Sequence, residues 1–189
     1  MTVSLSAPQS AAPESLESLM ARYQQADEDA ATALVRRLTP LLRRYFLCQA
    51  SNRRYADDLL QETWMRIHKA RRVYRPQEPA LPWILAVARH VNLDYYRKAS
   101  RVDTRERQVD LLPEPAAPAE GGDPGPDMES MLAALPEPQR EVIVMLKVTG
   151  MSIDEVARAT SSSPGSVKQK AHRAYEKLRT ALAAHARHR

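Results

Sequence analysis

Apolar residues in the first half of the chain recur every three or four positions, which is the spacing of one buried face on an α-helix. No stretch alternates apolar and polar residues as a half-buried strand does, and no segment repeats. The pattern predicts helices over residues 14–25, 28–50, 55–74 and 82–100. We therefore expect an all-α fold.

The third of these helices has two contrasting faces. Its apolar stripe on a helical wheel is formed by Leu60, Thr63, Ile67, Ala70 and Tyr74. The opposite face carries acidic and amide side chains beside one methionine: Asp58, Gln61, Glu62 and Met65. Such a face suits a basic protein partner. Ordinary surface helix formers give the same pattern, and the residues alone favour that simpler interpretation.

The loop before the fourth helix and the helix itself mix aromatic and basic residues. The loop, RPQEPALP, is restricted by its prolines. The basic and aromatic positions around it include Arg75, Trp83, Arg89, Tyr95 and Tyr96. This mixture suits single-stranded DNA, because bases stack on rings and phosphates meet cations. Trp83 shares a face with Val87 and Val91, so core packing is an equally good interpretation of that indole.

Two helix starts lie close together near the carboxyl end. Ser152-Ile153-Asp154-Glu155 fits a capping box, in which the Ser152 hydroxyl and the Glu155 carboxylate each accept a backbone N–H. Ser163-Pro164 supplies a second N-cap, followed by a proline at the first helical position. Two helices joined by so short a turn are typical of a helix-turn-helix, which presents its second helix to the major groove.

The wheel of this second helix separates a packing face from a free face. The packing stripe is Val167, Ala171, Ala174, Leu178 and Ala181. The free face and its borders carry polar and basic side chains: Ser166, Lys168, Gln169, Lys170, His172, Arg173, Glu176 and Lys177. Gln can pair with adenine and Arg with guanine, while Lys and Ser suit phosphates. A solvated basic helix that ends a small bundle is the alternative interpretation.

The charge of the chain agrees with a polyanionic partner. Lys and Arg total 28 against 23 for Asp and Glu, a net charge of +5 and a pI of about 9.5. From residue 164 to the end there are seven Lys or Arg against the single acid Glu176. Residues 102–130 instead contain eight acids and two bases, so charge is segregated along the chain.

The composition also divides the chain. Residues 103–127 contain five of the fourteen prolines and three of the five glycines, which predicts a flexible acidic linker. We therefore expect a disordered start over 1–13, a helical domain over 14–101, a linker over 102–127 and a second helical domain over 128–189. The start lacks the basic and apolar parts of a signal peptide, and no apolar run is long enough to span a bilayer. A cytoplasmic protein that is not membrane-inserted is expected, with its single cysteine, Cys48, as a small core residue.

An enzyme is the first competing class. The five histidines lack the spacing of a metal site, and the phosphate-binding and nucleophile motifs with fixed glycine spacing are absent. We therefore expect no catalytic residue, no metal, no cofactor and no small-molecule substrate.

Three stretches together resemble the extracytoplasmic-function sigma factors of the sigma-70 family. They are DDLLQETWMRIHKA, then WILAVARHVNLDYYRK, then LPEPQREVIVMLKVTGMSIDEVARATSSSPGSVKQKAHRAYEKLR. Their order and spacing across an acidic linker match that family over nearly the whole chain. The resemblance implies an N-terminal region 2 that binds RNA polymerase core and opens the -10 promoter element. It also implies a C-terminal region 4 that reads the -35 element.

The resemblance assigns roles to particular residues. The core-polymerase-binding motif corresponds to the outward face of the third helix, namely Asp58, Gln61, Glu62 and Met65. Contacts to the -10 element correspond to Arg75, Trp83, Arg89 and His90. Contacts to the -35 element correspond to Ser166, Lys168, Gln169, Lys170 and Arg173. Ala86 and His90 replace the Arg and Asn that relatives usually carry, and Gln169 replaces a commoner Ser, which implies different base preferences.

The implied partners are bacterial RNA polymerase core, promoter DNA and an anti-sigma factor. A plain transcription regulator would need a ligand or receiver domain in the first half, which the helical pattern does not resemble. A sigma mimic that only occupies a regulator would have no need for Lys168, Gln169 and Arg173 on the free face of the last helix.

Overall fold

The computed structural model describes residues 14–49, 53–106 and 128–187. Within these ranges all regular elements are helices and no strand occurs. The all-α expectation is confirmed. The predicted disordered start, 1–13, and residues 107–127 of the predicted linker lie outside the described residues.

The first group of helices contains α1 (Leu16–Gln24), α2 (Glu28–Leu47), α3 (Ala56–Ala70) and α4 (Ala80–Glu106). Short 3-10 turns, Arg53–Tyr55 and Arg71–Val73, precede and follow α3. The four helices lie where the apolar period predicts them. The fourth begins at Ala80 rather than at residue 82, and it continues to Glu106 rather than ending at residue 100.

The second group contains α5 (Met128–Ala133), α6 (Glu137–Lys147), α7 (Ile153–Ala159) and α8 (Pro164–Arg187). Both predicted caps are present. The Ser152 N–H donates to Glu155 Oε2 at 2.7 Å, and the Glu155 N–H donates to Ser152 Oγ at 3.3 Å. The Ser163 hydroxyl accepts from the Ser166 N–H at 3.2 Å. These caps fix where α7 and α8 begin, and so fix the turn between them.

The core of the first group lies between α1, α2, α3 and α4. Its largest fully covered side chains are Met20, Leu34, Leu42, Tyr45, Phe46, Ile67, Ile84, Leu85 and Val91. On α3 the buried residues are Ala56, Leu59, Thr63 and Ile67, whereas Leu60 is only half-buried. The stripe predicted from the wheel is therefore rotated slightly, because α2 and α4 both pack on this helix.

The second group is centred on α6. Val142, Ile143, Val144 and Met145 are four consecutive buried residues, which requires neighbours on more than one side of the helix. Buried Arg140 joins α6 to the end of α5, because its guanidinium donates to the carbonyl oxygens of Leu132, Ala133 and Leu135 at 2.7, 2.9 and 2.7 Å. Burial lowers the pKa of Arg140.

Within the described ranges, two helices are followed by a non-glycine residue with left-handed backbone. Ala26 after α1 has φ 63° and Ser161 after α7 has φ 50°. In the α7–α8 turn the Ser161 N–H donates to the Arg158 carbonyl and the Ser162 N–H to the Ala157 carbonyl, at 3.2 and 2.9 Å. This is the hydrogen-bond pattern of a Schellman motif, in which glycine is the favoured residue.

We predict that Ser161→Gly stabilises the chain by about 0.5 to 1 kcal/mol, because glycine relieves the left-handed backbone strain. The extra conformational entropy that glycine loses on folding cancels only part of this gain. Urea unfolding should show a higher midpoint with an unchanged slope. Ser162→Gly is the control, since Ser162 does not have a positive φ and its hydroxyl bonds Thr160 at 2.7 Å. Equal effects of the two changes would contradict the prediction.

Candidate nucleic-acid and protein interfaces

The outward face of α3 is open to solvent as predicted. Asp58 and Gln61 are exposed, and Met65 is 48% exposed. Glu62 is half-buried because its Oε1 lies 2.8 Å from Arg66 Nε. Three of the four predicted side chains are thus freely presented, and the fourth is held by a neighbour one turn along the helix.

Arg66 ties this face to α4. Its Nη1 donates to Asp94 Oδ2 at 2.6 Å while its Nε donates to Glu62. This hydrogen bond lowers the pKa of Asp94. The Glu62–Arg66–Asp94 network fixes the rotation of α3 relative to α4, so it sets the direction in which the acidic face points.

Apolar surface borders the acidic face. Half-buried Trp64 precedes Met65 and donates its indole N–H to Thr39 Oγ1 on α2 at 3.2 Å. One turn before Thr39, Val35 is 43% exposed. A surface that combines carboxylates with exposed Met and Val offers both charge and apolar area to a protein partner.

The loop between α3 and α4 presents a basic side chain beside a covered aromatic pair. Arg75 is 78% exposed, and its nearest acid is Glu78 at 3.6 Å. Tyr74 is buried, and its ring centroid lies 5.4 Å from that of half-buried Trp83. Trp83 is therefore partly covered by its packing on Tyr74 and partly open to solvent, and its stacking on a base stays a prediction.

Arg89 does not face solvent in this structure but contacts the second group of helices. Its Nε lies 2.9 Å from Glu141 Oε1 on α6, and the two side chains are 23% and 13% exposed. Helix α4 also packs against α7. Burial raises the pKa of the Glu141 carboxyl, and the charge of Arg89 partly opposes that rise.

Tyr45 lies close to this ion pair. It is fully buried, and burial raises its pKa, with the charge of Glu141 acting in the same direction. Its hydroxyl has no hydrogen-bond partner within the part of the chain that the structure describes. Sequence reasoning missed Glu141, although an acid beside four apolar residues that are buried together was a signal of an unusual environment.

His90, the next predicted residue on α4, is exposed. Its Nδ1 lies 2.8 Å from the Ala86 carbonyl oxygen, one turn earlier. The four predicted -10 residues therefore differ in how far their side chains are accessible to DNA. Arg75 and His90 are accessible, Trp83 is half covered and Arg89 is paired.

Helix α8 presents its polar face as the wheel predicts. Val167, Ala171 and Ala174 are buried, whereas Leu178 is half-buried and Ala181 is exposed, so the packing stripe ends before the helix does. On the free side Lys168, Gln169 and Arg173 are exposed, while Ser166 and Lys170 are half-buried. The charge of Lys170 also opposes the rise in the pKa of the Glu141 carboxyl.

The described ranges contain neither a candidate membrane span nor a cluster of metal-ligating side chains. None of these helices is long and apolar enough to cross a membrane. Over the same residues, no group of three or more His, Cys, Asp or Glu is placed to hold a metal ion.

Comparison with known proteins gives one consistent family. A family model for Sigma-70 region 2 matches residues 32–102, and one for Sigma-70, region 4 matches residues 127–178. The chain is 30% identical over 165 residues to RNA polymerase sigma factor CarQ of Myxococcus xanthus, covering 86% of this chain and 95% of that protein. It is 32% identical over 168 residues to ECF RNA polymerase sigma factor SigF of Caulobacter vibrioides, covering 86% and 91%.

Two solved structures have a similar fold. One is CnrH in complex with the cytosolic domain of CnrY, with a TM-score of 0.69 and 24% identity over 90% of this chain and 99% of that chain. The other is the sigma factor RpoE in complex with the anti-sigma factor NepR from Bartonella quintana, with a TM-score of 0.72 and 23% identity over 83% and 98%. At these identities the likeness shows the fold alone.

We predict that Glu141→Ala loosens the packing of the two groups of helices. Arg89 would be left unpaired while largely covered, which costs about 1 to 3 kcal/mol when a polar or charged group loses its partner. Small-angle scattering of the full chain should show an increased radius of gyration. Asp154→Ala, which removes an exposed acid from α7, is the control. An unchanged radius for Glu141→Ala would show that the ion pair is not needed for this packing.

Proposed function

The chain belongs to the extracytoplasmic-function sigma factors of the sigma-70 family, and from that premise we propose which of its surfaces perform each step. As a sigma factor it joins RNA polymerase core and directs it to promoters. We assign residues 14–101 to core binding and to the -10 element, and residues 128–189 to the -35 element. The observation that carries the proposal is the exposed basic face of α8, opposite a stripe that is buried in its own domain.

The proposed core-binding surface is the outward face of α3. Asp58, Gln61 and Met65 are accessible, and Glu62 is oriented through Arg66. Two carboxylates beside apolar side chains complement a partner site that is both basic and apolar. Such a surface can bind core polymerase more tightly than the two charges alone would allow. Stability of the fold gives no reason for an exposed Met65 at the centre of that face.

The proposed -10 surface combines the loop 75–79 with the first turns of α4. Arg75 is placed to meet a phosphate, and the open part of Trp83 to stack on an unpaired base. Arg89 can contact DNA together with Arg75 and Trp83 only after its ion pair with Glu141 has broken, because the paired guanidinium is covered by the second group of helices. Contacts made only to separated strands shift the promoter toward its open state.

The proposed -35 surface is the free face of α8. Gln169 and Arg173 are one turn apart and exposed, which suits direct reading of base edges. Lys168 and Ser166 stand at the borders, where phosphates lie when a helix enters the major groove. Ser166 and Lys170 are half-buried, so they are less accessible than Lys168, Gln169 and Arg173.

The remaining assignments follow from the role as a specificity subunit. The protein supplies binding energy and no bond-making chemistry, and it works in the cytoplasm with the polymerase. Because both solved relatives were captured as complexes, one of them with an anti-sigma factor by name, we also propose an anti-sigma partner for this chain.

Transcription by purified core polymerase on a genomic fragment library, with and without this protein, tests the proposal directly. New transcripts that share upstream -35 and -10 sequences are expected only when the protein is present. A transcript pattern identical to that of core alone would contradict it.

We predict that Asp58→Lys weakens binding to core polymerase by about tenfold or more, because a charge reversed at a complementary interface becomes repulsive. A fluorescence anisotropy titration of labelled protein with core measures the effect. Gln61→Ala with Glu62→Lys should weaken binding further but also breaks the network through Arg66. Asp29→Lys makes the same charge change at an exposed site on α2, and it should bind as the wild type does. Equal affinity of both lysine variants would refute the assigned face.

We also predict a division of labour on α8. Gln169→Ala and Arg173→Ala should each relax preference at individual -35 positions, at roughly 1 to 3 kcal/mol per lost bidentate contact. Lys168→Ala should weaken binding to all sequences alike and lower the salt slope by about one. Holoenzyme selection from a randomised -35 library provides the measurement. Uniform losses for all three variants would mean that α8 positions the domain and does not read bases.

A further inference from the structure

Helix α1 holds the start of the loop that precedes α4. The Gln24 side-chain amide donates from Nε2 to the carbonyl oxygens of Arg71 at 2.8 Å and Tyr74 at 2.6 Å. Both acceptors are backbone atoms, so the contact fixes the path of the chain whatever side chains it carries. Gln24 is half-buried and uses both of its N–H groups on this segment.

The same helix holds the end of the loop. Glu17 Oε1 accepts the backbone N–H of Ala80, the first residue of α4, at 2.9 Å. That N–H is one of those that a helix start leaves without an intrahelical partner, so Glu17 acts as an N-cap supplied from another helix. The hydrogen bond from Ala80 lowers the pKa of Glu17.

The spacing of these two contacts explains how one short helix makes both. Glu17 and Gln24 are seven residues apart, which is about two turns, so they lie on one face of α1.

The loop between α3 and α4 also contains hydrogen bonds of its own. The Tyr74 hydroxyl donates to the Glu78 carbonyl at 2.5 Å, and the Glu78 N–H donates to the Arg75 carbonyl at 2.9 Å.

The bonds leave the outer side chains of the loop free. Arg75, Gln77 and Glu78 are exposed, whereas the anchoring groups Gln24, Glu17 and Tyr74 are half-buried or buried. An arrangement that fixes the backbone while exposing the side chains is what a pre-ordered binding loop needs, because less conformational entropy is lost when the ligand arrives.

We propose that Glu17 and Gln24 are positioning residues for capture of the separated strand at the -10 element. They act through the loop 75–79 and do not touch DNA. The inference rests on the proposed function, since it assumes that this loop meets the unpaired strand. It adds to that function a second set of residues, on α1, which sets how readily the promoter opens and which base is accepted.

The experiment uses holoenzyme on a promoter obtained from the transcription library. Gln24→Ala and Glu17→Ala should each lower the permanganate reactivity of promoter thymines by roughly fivefold or more. This is the effect on an equilibrium constant expected when one more backbone residue must be ordered on binding. Closed-complex affinity and core binding should stay within about twofold of wild type. On a template whose -10 region is already unpaired, both variants should bind less tightly than wild type and with a relaxed -10 base preference, because capture of the separated strand is still impaired there.

Two further variants separate positioning from general stability. Gln25→Ala changes the exposed neighbouring glutamine and should open promoters normally. Glu17→Gln keeps an oxygen that can accept the Ala80 N–H and should restore most of the opening lost in Glu17→Ala.

Three outcomes would overturn the inference: full opening with unchanged base preference in Gln24→Ala, no rescue by Glu17→Gln, or a parallel loss of core binding and thermal stability. The last outcome would show that α1 serves only the fold. Failure of the wild-type holoenzyme to open any promoter would instead refute the proposed function itself.

Discussion

Helix α4 is the element on which both halves of the structure depend. One side of it supplies Ile84, Leu85 and Val91 to the core of the first group of helices. Another side packs on α7 and brings Arg89 to Glu141. Its first residue, Ala80, also ends the loop that α1 holds. A shift of this helix would therefore change the core, the contact between the groups and the loop at once.

The Arg89–Glu141 ion pair between the two groups of helices gains little electrostatic stabilisation, because its burial costs the charged groups their hydration. The carboxyl of Glu141 is largely covered and its pKa is raised, so its charged form is less well accommodated here than in water. A group whose pKa is raised on packing contributes less to that packing as pH rises above its ordinary value of about 4.5. Arg89 compensates only in part, as is usual when a buried ion pair must repay desolvation. Such a contact can hold the groups together in the free protein and still give way if, as we propose, DNA competes with Glu141 for Arg89.

Local rules explain why much of this architecture was predictable. The hydroxyls of Ser152 and Ser163 mark their helix starts within the sequence itself, and the free face of α8 follows from the period of Val167, Ala171 and Ala174. The bonds of Gln24, Arg140 and Glu141 were not predictable in the same way. Each joins a polar side chain to a group on another helix, and periodicity within one helix carries no information about which neighbour lies opposite.

His90 shows how such local detail can carry base preference. A carbonyl oxygen only accepts, so the Nδ1 that lies 2.8 Å from the Ala86 oxygen must carry the proton. In the neutral ring Nε2 is then an acceptor, and in the charged ring it is a donor. Ala86 itself offers only a half-buried methyl group. Of these two positions, where the family resemblance implies Arg and Asn, we therefore propose that His90 carries the base preference, because the Ala86 side chain has no hydrogen-bonding group.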